Sequence, residues 1–155
     1  MAVLRLKKAV PEDAAYITAM QYVAFTPLYE KYHDAISPVF ETVENVAEKI
    51  ADSDYYIVCC GEEQVGAVRV AEGSERDYYR ISPIFILPDH QNKCLGTKVM
   101  EMTFAEYPNA LGWSLATIKE EKRNCHFYEK LGFVPTGEEK RVNENMTLVF
   151  YEKTV

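Results

Sequence analysis

The sequence predicts an α+β fold, α/β by looser usage, in which helices flank a mixed, mostly antiparallel central sheet. Three observations carry that expectation. Residues 55–60 and 65–70 are two β-rich runs separated by Gly61 and a polar turn, the pattern of an antiparallel hairpin. Residues 81–87, 95–107 and 111–118 read as strand, helix and strand, a connection long enough to lay the second strand parallel to the first. Residues 133–136 and 146–151 supply a closing pair of strands, so the elements mix without the strict alternation of a fully parallel sheet.

In chain order, residues 1–8 read as a first strand, with Val3 alternating against the longer stems of Arg5 and Lys7. Pro11, Glu12 and Asp13 open a helix that turns Ala14, Ile17, Ala19, Met20, Val23 and Ala24 toward a core, and Pro27 is expected to end it. Residues 25–40 are crowded with Tyr29, Glu30, Tyr32, His33 and Asp34 and show a less regular period. A second helix spans 42–50, with Val43, Val46, Ala47 and Ile50 on one face and acidic residues near its start, where the helix dipole favours them. After the hairpin, residues 71–77 are a polar connection and Tyr78 begins the central strand.

That central strand organises the rest. Ile84, Phe85, Ile86 and Leu87 form a continuous apolar run, which suits a strand buried on both faces. Pro83 breaks the ladder, because proline has no N–H to donate, and so implies a bulge or a splayed neighbour with free backbone groups. Leu95, Val99 and Met102 then fall at helical spacing until Pro108. The turn before this helix aims unpaired N–H groups and the positive end of the dipole outward, which favours an anion, and Gly96 lets the backbone come close to it. Past the charged residues 119–123, Asn124 is placed as a helix N-cap and Gly132 as the helix end, with residues 137–145 a polar link.

Composition narrows the function. At 155 residues the chain is expected to be one domain over 1–155. Hydrophobic residues make up 48% and charged residues 26%, ordinary globular usage, and no apolar run approaches a membrane span. The N-terminus lacks a signal-peptide apolar region, which predicts a cytoplasmic protein. The net charge of −7 argues against nucleic-acid binding and suits a small cationic amine. Four cysteines with no C-x-x-C spacing and no cysteine–histidine cluster predict reduced thiols and no metal.

Two blocks carry a family resemblance. Gln91-Asn92-Lys93-Cys94-Leu95-Gly96 resembles the Gln/Arg-x-x-Gly-x-Gly/Ala signature of the GCN5-related N-acetyltransferases (GNAT), in the place that family has it. Residues 124–133, with Asn124, Phe127, Tyr128, Lys130, Gly132 and Phe133, resemble the family's Asn-x-x-Ala-x-x-Phe-Tyr-x-Lys-x-Gly-Phe segment. Cys94 departs from the pattern, since it replaces the first glycine of the phosphate-binding turn.

The resemblance implies acetyl-CoA as co-substrate, a small-molecule or peptide amine as acceptor, and no metal, with homodimers ordinary for the family. It implies that backbone at Ile84, Phe85 and Ile86 holds the pantetheine arm, that Gln91, Asn92, Lys93, Cys94, Leu95, Gly96 and Thr97 hold the pyrophosphate, and that Tyr128 is the general acid. Asn124 either contacts the cofactor or caps its helix. Tyr29, Glu30 and His33 fall in the region that shapes the acceptor pocket, and Glu30, His33 and ordered water are all candidates for the general base. His90 and His126 are read as surface or structural residues. Cys94 motivates a second reading, a coenzyme-A-binding or sensing module with weak transfer. A dinucleotide oxidoreductase is disfavoured, because no Gly-x-Gly-x-x-Gly opens an early strand–helix unit.

Overall fold

The computed structural model describes residues 3–91 and 95–155. Among the described residues seven strands form one sheet: β1 (Leu4–Lys8), β2 (Asp54–Cys60), β3 (Glu63–Glu72), β4 (Tyr78–Ile86), β5 (Gly112–Ile118), β6 (Val134–Asn143) and β7 (Met146–Thr154). Their spatial order is β1-β2-β3-β4-β5-β7-β6. All pairings are antiparallel except β4 with β5. The expected mixed sheet with one parallel crossover is therefore present.

Period-two alternation in β2 sends its side chains to two different cores. Tyr55, Ile57 and Cys59 join Ile17, Met20, Val46 and Ile50 beneath α1 (Ala14–Tyr32) and α2 (Val43–Asp52). Tyr56 and Val58 join Val99, Met100, Trp113, Leu115 and Phe133 beneath α3 (Leu95–Ala105) and α4 (Lys122–Lys130). Each wholly buried aliphatic side chain, such as Ile17 or Ile57, contributes roughly 1.5–3 kcal/mol by leaving water. No helix among the described residues is long and apolar enough to cross a membrane.

Five local expectations are corrected. In β1 and the residue before it, Val3, Arg5 and Lys7 are exposed, and it is Leu4 and Leu6 that turn inward. Helix α1 does not stop at Pro27 but runs through it to Tyr32. Pro27 is exposed, so the helix forgoes one hydrogen bond while Ile17, Met20 and Gln21 hold it to the sheet. The run at β4 is not buried on both faces: Ile81 and Phe85 are buried, whereas Ile84 and Ile86 are half-buried. Asn124 is not an N-cap, because α4 begins two residues earlier with Glu121 as its cap residue. Residues 137–143 are not a link but the second half of β6, which turns into β7 through Glu144 and Asn145. An edge strand exposed from Val134 to Arg141 needs no apolar alternation, which is why its sequence reads as a loop.

Candidate active site

The sheet opens in the middle. Strands β4 and β5 pair only through Tyr78 with Gly112, Tyr79 with Trp113 and Arg80 with Ser114. Beyond Arg80 each strand keeps its outer neighbour, β4 on β3 and β5 on β7, and they lose each other. A V-shaped cleft results, edged by backbone groups with no ladder partner across it.

A bulge starts the divergence. Val68 pairs with Ile84 and Val70 with Ile81, so Ser82 and Pro83 together face Arg69. The proline at this point is the one whose missing N–H signalled a bulge. The Arg69 guanidinium donates to the Ser82 carbonyl at 3.1 Å and to the Ser53 hydroxyl at 2.8 Å. It thereby occupies a carbonyl at the bulge. Further along, the β3 backbone comes so close to β4 that a Cβ on Gly66 would lie 2.2 Å from the Phe85 carbonyl oxygen. Only glycine fits there, and the close approach holds β4 toward β3.

Helices α3 and α4 flank the cleft. Asn92, Lys93 and Cys94 lie outside the described residues. Of their neighbours, Gln91 donates its side-chain amide to the Ile86 carbonyl at 2.8 Å, tying the turn to the end of β4. The first N–H groups of α3, at Leu95, Gly96 and Thr97, have no partner within their own helix. Gly96 also serves a second purpose: a Cβ there would lie 3.2 Å from the Phe127 ring, so its bareness lets α3 meet α4. Asn124 and Thr97 are exposed.

Tyr128 is half-buried on α4, edge-on to Phe127 at 5.1 Å and to Phe133 at 6.0 Å. Burial, with a smaller contribution from the nearby Cys125 thiol, pushes its pKa up to about 12. Among the described residues no hydrogen bond engages its hydroxyl. Ile84, Ile86 and Leu95 belong to the same side-chain cluster, so Tyr128 shares one face of the sheet with the opened strand and the start of α3.

The other face carries the end of α1. Phe25 packs edge-on against Phe85 at 5.6 Å, setting α1 over the opened part of β4. Tyr29 stacks between His33, at 5.5 Å, and Phe40, at 5.1 Å. Glu30 and His33 are exposed, and His33 ends the helix in a left-handed conformation.

Two sets of contacts that no sequence pattern announced hold this region. Lys31 and the Tyr32 hydroxyl both donate to the Glu121 carboxylate at the start of α4. Asn143, beside the β6–β7 turn, donates to the Tyr32 carbonyl at 2.9 Å. Burial pushes the Glu121 carboxyl up, but the hydrogen bonds from Lys31 and Tyr32 outweigh it and leave its pKa lowered. On the inner side, wholly buried Gln21 donates to the Glu41 carboxylate at 2.7 Å and to the Pro38 carbonyl at 3.2 Å, and accepts from Tyr55 at 3.0 Å. That fixes the segment after α1 to the helix itself.

A cavity of about 550 Å³ lies on the other side of α4, where Lys122, Cys125, His126 and Glu129 face Tyr151. It is separate from the opened edge of β4. His90 pairs with Glu63 at 3.2 Å. Cys59, Cys60 and Cys125 are free thiols.

Comparison with known proteins places this arrangement. The family profile described as acetyltransferase (GNAT) domain matches residues 20–155. An acetyltransferase from Thermus thermophilus superposes with a TM-score of 0.77 at 21% identity, covering 100% of both chains. Spermidine N-acetyltransferase from Vibrio cholerae, solved with CoA and spermine, gives 0.76 at 18% identity over 97% of this chain and 95% of that one. PaiA N-acetyltransferase from Thermoplasma acidophilum, solved with coenzyme A, gives 0.77 at 12% identity over 99% of each. No curated protein matches the sequence. A profile match over most of the chain, on a sheet parted between β4 and β5, leads to one assignment: this protein belongs to the GNAT acetyltransferase family.

Proposed function

We propose that the protein is an N-acetyltransferase that moves the acetyl group of acetyl-CoA directly to a primary amine of a small molecule or peptide. The observation that carries the reading is the parted edge of β4 beside the start of α3. A pantetheine arm is a chain of amides, and an unpaired strand edge is the surface on which such a chain adds as a strand would. Residues 84–86 offer that edge, and the first N–H groups of α3 offer partners for a pyrophosphate. Structural neighbours solved with coenzyme A lend support.

Transfer needs three services from the chain. A backbone N–H of β4, at Phe85 or Ile86, polarises the acetyl carbonyl and receives the charge its oxygen gains. The acceptor nitrogen releases a proton as it bonds to the acetyl carbon, and the sulfur takes one up as the carbon–sulfur bond breaks. Tyr128, protonated at neutral pH because its pKa stands near 12, donates to that sulfur. The side chains of α1 close the opposite side, where Tyr29 lines the approach of the amine.

The test is release of coenzyme A thiol from acetyl-CoA across a panel of primary amines, with binding of acetyl-CoA followed separately by thermal unfolding against an NADH control. Amine-dependent thiol release is the expected result. Acetyl-CoA binding with no release for any amine overturns the transferase reading and favours a binding module.

A further inference from the structure

The cavity beyond α4 takes no part in acetyl transfer as proposed. It measures about 550 Å³ and lies between α4 and the β6–β7 hairpin, with no lining residue from α1, β4 or α3. Its floor is apolar: Val149, Tyr151 and Cys125 are buried there. A hollow of this size takes a small organic molecule.

Helix α4 arranges the charges around it. Lys122, Cys125, His126 and Glu129 follow one another at i, i+3, i+4 and i+7, so one face of the helix carries all four along the cavity. Lys122 and His126 stand one turn apart, and among the described residues neither has a hydrogen-bond or ion-pair partner. Glu129 accepts the Tyr151 hydroxyl at 2.8 Å on Oε2, which fixes the carboxylate at the other end. Among the described residues no cation pairs with it, and Oε1 has no partner. The remaining two charges cancel each other, since Lys119 pairs with Glu139 at 2.9 Å. Lys122 and Glu129 are about 10 Å apart along the helix axis. Exposed charges alone make no site. Here, however, opposite charges are held at two ends of a buried apolar floor, and the complement of that pattern is a molecule with an anion at one end, an apolar body and a cation at the other.

We infer that the groove between α4 and the β6–β7 hairpin is a second binding site, for a small zwitterion of the ω-amino acid type. Its carboxylate seats at Lys122 and His126, its apolar body covers Val149 and Tyr151, and its ammonium seats on Glu129. The occupant is an effector and not an acceptor, because the parted edge of β4 does not face the groove. It meets the catalytic side only through α4, where Cys125 in the groove floor precedes Tyr128 by three residues.

Calorimetric titration of the full chain with para-aminomethylbenzoate, para-toluate and para-methylbenzylamine tests the inference, since only the first carries both charges at opposite ends of a ring. The wild type is expected to bind the zwitterion about tenfold or more tightly than either analogue. Lys122→Gln is expected to bind it no better than para-methylbenzylamine, and Glu129→Gln no better than para-toluate. Glutamine at 129 still offers Tyr151 an acceptor, so both variants are expected to melt as the wild type does; if one does not, the other and the two analogues decide. Saturating acetyl-CoA is expected to leave the zwitterion's affinity unchanged. Absence of binding at millimolar concentration, equal binding of the three compounds, or a preference that survives either substitution overturns the inference. Displacement by acetyl-CoA overturns it too, because the compound then occupies the cleft. No arm of the experiment reads turnover, so its failure leaves the transferase proposal standing.

Discussion

Arg69→Met tests whether the bulge in β4 shapes the cleft or merely decorates it. The arginine makes two charged hydrogen bonds, to the Ser82 carbonyl and to the Ser53 hydroxyl. Methionine fills much of the volume but donates to neither. Loss of the donor at a half-buried carbonyl costs about 1–3 kcal/mol. For a chain of 155 residues a loss of about 2 kcal/mol lowers Tm by roughly 4–8 °C. That much follows from any structural role. If the arginine also holds β4 away from β5, the freed bulge relaxes toward the missing ladder and the edge that acetyl-CoA needs is consumed. Relaxation worth about 1.4 kcal/mol then weakens acetyl-CoA binding about tenfold. Differential scanning fluorimetry gives the first quantity and isothermal titration the second. A variant with lowered Tm and unchanged acetyl-CoA affinity would refute the positioning role.

Three further outcomes are expected. Tyr128→Phe lowers turnover about 100-fold, the low end of general-acid effects, with acetyl-CoA binding kept. Because the raised Tyr128 pKa favours the protonated hydroxyl, its contribution is complete below pH about 10 and fades only toward pH about 12; a wild-type alkaline loss centred near pH 8 that vanishes in the variant would contradict this. Glu121→Gln flattens the acid side of the stability profile: the lowered carboxyl pKa means the charged form's stabilisation is present above the ordinary value of 4.5 and lost as pH falls through the folded value, so identical Tm-versus-pH curves for variant and wild type would count against the Lys31–Glu121–Tyr32 junction. Pro27→Ala restores a helical donor at an exposed position in α1 and raises stability by about 2 kcal/mol, read as a higher midpoint in urea; an unchanged midpoint would show that α1 already accommodates the ring.

What the sequence made legible was local. The hairpin of β2 and β3 announced itself through two β-rich runs around Gly61, and the parting of the sheet was signalled by Pro83, whose missing N–H cannot sit in a continuous ladder. Family resemblance at residues 91–96 and 124–133 then singled out the start of α3 and Tyr128 as expectations for the site. The residues that escaped were those whose partners lie far along the chain. Arg69 looks like any solvated arginine until Ser82 is folded beside it, and Glu121 looks like one more charge in the run 119–123 until Tyr32 and Lys31 arrive. Helix α1 ran past Pro27 because tertiary contacts of its buried face outweigh a local preference, and β6 hid because a polar edge strand carries no apolar alternation.

The junction at Tyr32 has a consequence for the order in which the protein comes to exist. Its hydroxyl reaches Glu121 across 89 residues of chain, and its carbonyl is held by Asn143 across 111. Contacts that close loops this long carry the greatest entropic cost and form late in folding. During synthesis, strands β1 to β4 and helices α1 and α2 are complete well before α4 and β6 emerge. The end of α1 is therefore held first by Phe25 on Phe85 and Tyr29 on Phe40, and gains its second anchorage only when the last quarter of the chain docks onto it.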